Sequence, residues 1–181
     1  MYRHIRSIAF LVAVISLTGC AGLGNMKEVE FQTQAQSDMA TVNIVRRAVF
    51  MGDGAKVEAW DGDRFIGTLS AGTLLQYQAK PGEHSFMTYV QGSWAIAKGE
   101  LKPGKTYYLK FNMSGWGPTS LGVAKASDSR ITEWNKMTTV AIDQSSPKEV
   151  PEKYIIKARK ILNRVEAGTA NAAQITDINA L

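Results

Sequence analysis

Residues that usually carry chemistry are scarce in this chain. Its 181 residues include one cysteine, Cys20, and two histidines, His4 and His84. A single cysteine excludes a disulfide within the chain, the usual reinforcement of small exported domains. No segment has a Gly-x-Ser-x-Gly elbow or the Lys-Ser/Thr of a phosphate-binding loop. The sequence therefore carries no signature of nucleophilic or phosphate-transfer chemistry.

Strong charge of one sign is lacking too. The formal net charge is +5 at pH 7, and the basic residues do not form the Lys/Arg run that marks a nucleic-acid-binding segment. We therefore expect no nucleic-acid partner.

An uncharged apolar run lies near the N-terminus, at residues 7–17. It is shorter than the roughly 20 residues that a helix needs to cross a bilayer. It follows Arg3 and Arg6 and leads into Leu17-Thr18-Gly19-Cys20, which resembles a bacterial lipobox. This order of features predicts a lipoprotein signal peptide over residues 1–19, cleavage before Cys20, and covalent diacylglycerol and N-acyl lipid on Cys20.

Lipidation of Cys20 would use up the lone thiol. Cleavage before Cys20 would remove His4 with the signal peptide. One histidine cannot assemble the usual His/Cys zinc site. We therefore expect no catalytic, metal-binding or cofactor-binding residues, and a protein that is not an enzyme. Residue 21 is Ala rather than the Asp that retains lipoproteins at the inner membrane. This favours the cell envelope as the location, at the periplasmic face of the outer membrane.

The rest of the chain has the length of one domain, and the whole chain is 45% hydrophobic. Residues 20–39 are polar and predict a flexible lipidated tether. Residues 40–127 predict a β-sandwich domain, and residues 128–181 a C-terminal extension with a helix near 151–166.

Short β-type runs separated by Gly, Pro and Asp fill the predicted domain. They are residues 40–50, 57–60, 65–69, 73–79, 84–90, 94–101, 106–113 and 121–126. Runs of this length and spacing are typical of an antiparallel sandwich or barrel. Asp61-Gly62-Asp63 predicts a tight hairpin, and the Pro-Gly pairs at Gly82 and Gly104 predict type II turns.

Residues 40 to about 126 resemble the bacterial family known as domain of unknown function 2846, which is similar to the PEGA β-domains. The resemblance is carried by turn and strand motifs: Ala40-Thr41-Val42, Val57-Glu58-Ala59-Trp60-Asp61-Gly62, Ile66-Gly67-Thr68-Leu69, Lys80-Pro81-Gly82-Glu83-His84 and Leu101-Lys102-Pro103-Gly104-Lys105-Thr106-Tyr107-Tyr108. It implies a mainly β fold, an Ig-like or PEGA-like antiparallel β-sandwich, here with one C-terminal amphipathic α-helix. It implies no reaction.

Two tryptophans are the candidate ligand-binding residues. Trp94 and Trp116 lie in or beside Gly-containing turns, where an exposed indole could stack on a sugar ring. The competing interpretation is that these aromatics fill the core or cap its ends. For His84, a surface position at the start of a strand is favoured over membership of a serine triad.

The helix near 151–166 is amphipathic. One face has the apolar spacing of Tyr154, Ala158, Ile161, Leu162 and Val165. A basic stripe follows another side, formed by Lys153, Lys157, Lys160 and Arg164. Such a helix either lies on anionic lipid or covers a sheet, and we expect it to dock on the β-domain.

Two classes of function fit these features. The first is a lipid-anchored accessory module that binds another envelope protein through an apolar patch or strand edge. The alternative is a glycan- or peptidoglycan-binding lipoprotein, which would show coplanar exposed aromatics. The first is favoured, by fold-level analogy.

Overall fold

The computed structural model describes residues 22–48, 54–113 and 117–181. The predicted signal peptide at 1–19, the predicted lipidation residue Cys20 and the candidate ligand residue Trp116 lie outside the described residues.

The described chain is mainly β. Eleven strands occur in these ranges: β1 (Met26–Glu28), β2 (Ala40–Arg46), β3 (Val57–Asp61), β4 (Arg64–Leu69), β5 (Thr73–Ala79), β6 (Gly82–Val90), β7 (Ser93–Leu101), β8 (Thr106–Met113), β9 (Thr119–Val123), β10 (Thr138–Ile142) and β11 (Ala173–Gln174). Two α-helices accompany them, the one-turn α1 (Ile131–Trp134) and α2 (Glu152–Glu166), with a 3₁₀ turn at Asp177–Asn179. Each β-type run predicted within 40–127 therefore overlaps a strand, although 40–50 extends beyond β2 and 121–126 begins two residues after β9 does.

The strands form two sheets packed face to face. The first sheet has the order β1-β10-β5-β2-β8-β9 and the second the order β11-β7-β6-β3-β4. The sandwich with a C-terminal helix is thus confirmed, but its pairing is mixed rather than purely antiparallel. The pairs β2/β8, β5/β10 and β7/β11 are parallel. Each joins strands that are distant in sequence, so no hairpin constrains them to run antiparallel.

The main core lies between the sheets. Alternate residues of the strands point into it, and its members include Ile44, Phe86, Tyr107 and Leu109, all nearly or fully buried. Two smaller apolar clusters lie on the outer faces. One lies between α2 and the second sheet, and the other lies between α1 and the first sheet.

The predicted tether needs correction. Residues 22–39 follow the domain surface, and β1 pairs antiparallel with β10. Leu23 is buried in the cluster under α2, and the amide N–H of Gln32 donates to the Gln76 side chain. Leu23 and Met26 make apolar contacts with the domain. The alternating glutamines give this segment a polar composition, so the sequence did not indicate these contacts. The described part of the segment therefore belongs to the sandwich.

The C-terminal extension also belongs to the sandwich. Strand β10 adds to the first sheet beside β5, and β11 adds to the second sheet beside β7. The expected docking of α2 on the β-domain is confirmed, because Ala158 and Val165 are buried against the second sheet.

The predicted turns are present, with one difference. Gly62 has a φ of 60° in the two-residue loop that joins β3 to β4, as a tight hairpin requires. Gly104 has a φ of 71° in the turn before β8. Gly82 has a φ of 125° but is already the first residue of β6, because this Pro-Gly pair carries the chain from one sheet to the other.

Candidate functional site

The candidate ligand residue Trp94 lies on the outer face of the second sheet. It is partly buried and packs against Tyr89, its partner across the β6/β7 hairpin. The ring centroids are 4.8 Å apart and the planes are tilted by 40°. The two rings therefore contact each other and do not form the flat platform that stacks on a sugar. No geometry is given for Trp116, which lies beyond the described ranges.

Trp94 ends a row of four cross-strand neighbours, which we call the Glu58 row. Strand register places Thr68 opposite Glu58, Glu58 opposite Tyr89, and Tyr89 opposite Trp94. Directly paired residues point to the same face of a sheet. Neighbouring strands are about 4.8 Å apart, so the row spans about 15 Å.

The N-terminal segment covers the Thr68 end of this row. A side chain added at Gly22 would approach the Thr68 hydroxyl to 3.0 Å, so the backbone lies directly on this residue. The Lys148 ammonium donates to the Gly22 carbonyl oxygen at 2.8 Å. A polar cleft of about 450 Å³ opens beside it, and Lys56 and Thr73 also line it.

The middle of the row is the half-buried carboxylate of Glu58, with one lysine near it. Burial raises the pKa of Glu58, while a hydrogen bond from the Trp60 indole and the charge of Lys157 on α2 act in the opposite direction. The Trp60 Nε1–H donates to the Glu58 carboxylate at 3.3 Å. Since Trp60 is fully buried beneath α2, the helix and the row form one continuous surface.

The outward side of α2 carries the basic stripe predicted from the sequence. Lys153, Lys157 and Lys160 are all exposed, and the first two lie over the Tyr154 ring at 5.1 and 5.6 Å. Arg159 lies on the other flank, where it pairs with Asp63 at 2.8 Å. The exposed cations of the stripe thus lie on the flank nearer the Glu58 row.

A second cluster joins His84, Asp61 and Tyr77, and the sequence did not reveal it. The Nδ1–H of His84 donates to the Asp61 carboxylate, with distances of 2.8 and 2.9 Å to its two oxygens. Its Nε2–H donates to the Lys80 carbonyl oxygen at 2.8 Å, and the Tyr77 hydroxyl donates to Asp61 at 3.2 Å. The ring of Phe86 stacks on His84. His84 is less exposed than the sequence suggested: it lines an open cleft, but only 15% of its side chain is exposed.

The partners of His84 determine its protonation. A carboxylate and a carbonyl oxygen accept hydrogen bonds, so this geometry favours the form in which both ring nitrogens carry hydrogen. The hydrogen bond to Asp61 raises the pKa of His84, and burial opposes that rise. Burial, followed by the charge of Asp61, raises the pKa of Tyr77 to about 12. In its protonated form the ring bonds both Asp61 and the Lys80 carbonyl, so the cluster ties β3 to the entry of β6.

The His84 pair predicts a stability that depends on pH. Because its pKa is raised on folding, the contribution is complete below the unfolded value of about 6.5 and is lost as pH rises through the folded value. We expect the denaturation midpoint to fall between pH 6 and pH 9. In His84→Gln this pH dependence should be largely absent, as in the matched variant Asp61→Asn. The midpoint is measured by urea unfolding at each pH. If the midpoint of His84→Gln changed with pH as steeply as that of the wild type, the assignment would be contradicted.

Two general features complete the description of residues 22–48, 54–113 and 117–181. None of their helices has the length and apolar composition of a membrane span. In the same ranges, no three His, Cys, Asp or Glu side chains are grouped to hold a metal ion.

Comparisons with known proteins do not identify a family for this chain. No family model matches the chain, and no curated protein matches it. Among solved structures, an NMR structure of a protein from Eubacterium rectale is similar with a TM-score of 0.36 and 11% sequence identity, over 52% of this chain and 99% of that chain. The resemblance to domain of unknown function 2846 therefore stays a prediction.

Proposed function

We propose that this is a lipid-anchored, non-catalytic accessory protein of the bacterial cell envelope, located at the periplasmic face of the outer membrane. The observation that carries the proposal is the order of basic residues, apolar run and Leu17-Thr18-Gly19-Cys20 at the N-terminus. The arrangement around His84 supports the non-catalytic part, because both ring nitrogens already have partners.

The proposed partner is another envelope protein, which would bind at the end of the sandwich opposite Gly22. Gly22 shares its cleft with Thr73, which pairs with Arg46 at one end of β2. The C-terminal Leu181 exchanges two backbone hydrogen bonds with Thr106, whose partner Thr41 lies at the other end of β2. These ends are about 17 Å apart at 3.4 Å per residue.

Exposed apolar side chains support this choice of surface. In the described part of the chain, three large apolar residues are exposed: Ile156, Ile178 and Leu181. The last two belong to the C-terminal segment at this far end. Exposed apolar residues that lie close together are a common feature of protein interfaces.

Binding of peptidoglycan is the alternative, and Tyr89 and Trp94 are the residues that would favour it. Their 40° tilt does not suit sugar stacking, so the protein-partner proposal is preferred. Incubating the lipidated protein with purified sacculi distinguishes the two. Co-sedimentation that is lost in Trp94→Ala would favour the glycan alternative and contradict the proposal.

Replacing Cys20 with alanine tests the anchor. We expect the variant to accumulate as an uncut precursor and to lose all labelling by palmitate analogues, because the chain has no other thiol to acylate. Labelling is measured by gel fluorescence after growth with the analogue. The matched control is Ala21→Asp, which should stay labelled but move to the inner membrane. Labelling of Cys20→Ala at the wild-type level would refute the anchor.

A further inference from the structure

We infer that the Glu58 row and the adjoining basic stripe of α2 form the side on which the protein rests against its own membrane, with the stripe contacting anionic lipid headgroups. This inference rests on the proposed acylation of Cys20. It goes further by assigning the orientation of the domain and the lipid class it contacts.

The first argument is the length of chain between the lipid and the domain. Gly22 already lies on Thr68 and accepts a hydrogen bond from Lys148. Two Cα–Cα steps separate Cys20 from Gly22, and two steps span at most about 7.6 Å. An acylated Cys20 therefore keeps the Thr68 end of the row close to the headgroups, which a flexible tether of residues 20–39 would not do.

The second argument is charge complementarity. Lys153, Lys157 and Lys160 are exposed on α2, and Lys157 lies close enough to Glu58 for its charge to act on that carboxylate. Lys56 and Lys148 flank the Gly22 backbone at the end of the same surface. Of the acidic helix residues, Glu152 is the first residue of α2, next to Lys153, and Glu166 lines a cleft with Asp61 and His84. Two lysines thus lie beside Gly22, and three more follow the exposed side of α2 next to the Glu58 row.

The third argument is the pattern of aromatic and apolar side chains on this surface. Tyr89 and Trp94 are partly exposed at the other end of the row, and Tyr and Trp are enriched where proteins meet the headgroup region. Ile156 projects from the outward side of α2 with 55% of its surface exposed. An apolar side chain among lysines is a common arrangement on helices that lie at a membrane interface.

The orientation can be measured with a fluorophore on a single added cysteine, since acylation blocks Cys20. The acylated full-length protein is reconstituted in vesicles of phosphatidylethanolamine and phosphatidylglycerol that contain a headgroup-linked quencher. Ile156→Cys reports the proposed contact surface. Ile178→Cys is its matched control, because this isoleucine is similarly exposed, at 59%, on the C-terminal segment. We expect strong quenching at position 156 and weak quenching at position 178.

Charge reversal tests the lysine stripe. Each lysine near an anionic surface favours contact by about 1 kcal/mol, or roughly fivefold. Changing Lys153, Lys157 and Lys160 to Glu should therefore shift the contact equilibrium by about 100-fold or more and abolish quenching at position 156. The control changes Lys105, Lys125 and Lys136 to Glu. These lysines are also exposed, and the control should keep the quenching at position 156. A Lys→Gln triple at the stripe, checked by circular dichroism, excludes effects of misfolding.

Different measurements test the orientation of the domain and the acylation of Cys20. Palmitate labelling and co-flotation with vesicles report acylation regardless of orientation. Equal quenching at positions 156 and 178, or full quenching in the stripe variant, would overturn the inference while leaving the anchor intact. Failure of labelling and flotation would overturn both. Persistent quenching in vesicles of phosphatidylcholine alone would refute the role of anionic lipid.

Discussion

Replacing Trp60 with alanine is expected to lower the free energy of unfolding by about 3–5 kcal/mol. The indole is fully buried on the outer face of the second sheet. It packs edge-on against Phe65 with ring centroids 5.3 Å apart, and it belongs to the cluster that includes Ala158 and Val165 of α2. Its loss would leave a cavity beneath the helix. It would also remove the hydrogen bond that the indole N–H donates to the half-buried Glu58 carboxylate.

Trp94→Ala is the matched control, because Trp94 lies on the same face and is only partly buried. Its expected cost is about 1 kcal/mol, the centre of the range for single substitutions. Chemical unfolding followed by near-ultraviolet circular dichroism measures both. If the two variants lost equal stability, Trp60 would not be covered, and α2 would not dock as the structure shows.

The strands were accessible from sequence because local signals define them. Glycines and prolines mark the turns, and β-branched and aromatic residues fill the runs between them, so 73–79 and 106–113 were predicted with the bounds that β5 and β8 have. The helix was accessible for a similar reason, since Ala158 and Val165 recur at helical spacing. Such signals need no knowledge of distant residues.

The features that sequence reasoning missed depend on distant partners. Met26–Glu28 is a short strand in a polar segment, and only its pairing with β10 makes it part of a sheet. The parallel pairs arise between strands that meet after long connections, for which turn residues give no guidance. Polar segments near a terminus are therefore poorly classified by composition alone.

The candidate site shows the same division. Trp94 was selected by its residue type. Its contact with Tyr89 depends on the register of the hairpin, and the position of Glu58 in the same row depends on pairing with a strand far away in sequence. Asp61 was interpreted as a turn residue, which is correct for the backbone. Its carboxylate also binds His84 and Tyr77, and no local pattern reveals this cluster. The basic stripe was visible from sequence, although its position beside Glu58 was not.

Replacing Gly99 with alanine is expected to destabilise the protein by about 2–5 kcal/mol, which combines overpacking with backbone strain. Gly99 lies in β7 with a φ of 153°, a conformation that residues with a Cβ rarely adopt. A Cβ at this position would lie 2.4 Å from the Ile175 carbonyl oxygen and 3.0 Å from the Ile175 Cβ. The C-terminal segment must therefore move away from β7.

That movement would have a local signature beyond the loss of stability. The Ile175 N–H donates to the Lys98 carbonyl oxygen at 2.7 Å, and the Ile175 side chain is buried in the main core. We expect faster hydrogen exchange at the Ile175 amide and faster removal of the C-terminal residues by carboxypeptidase. Gly122→Ala is the control, because Gly122 is also in a strand but lacks a positive φ and has no neighbour nearer than 3.9 Å. Equal exchange and equal unfolding free energy in the two variants would show that the C-terminal segment does not need a glycine at position 99.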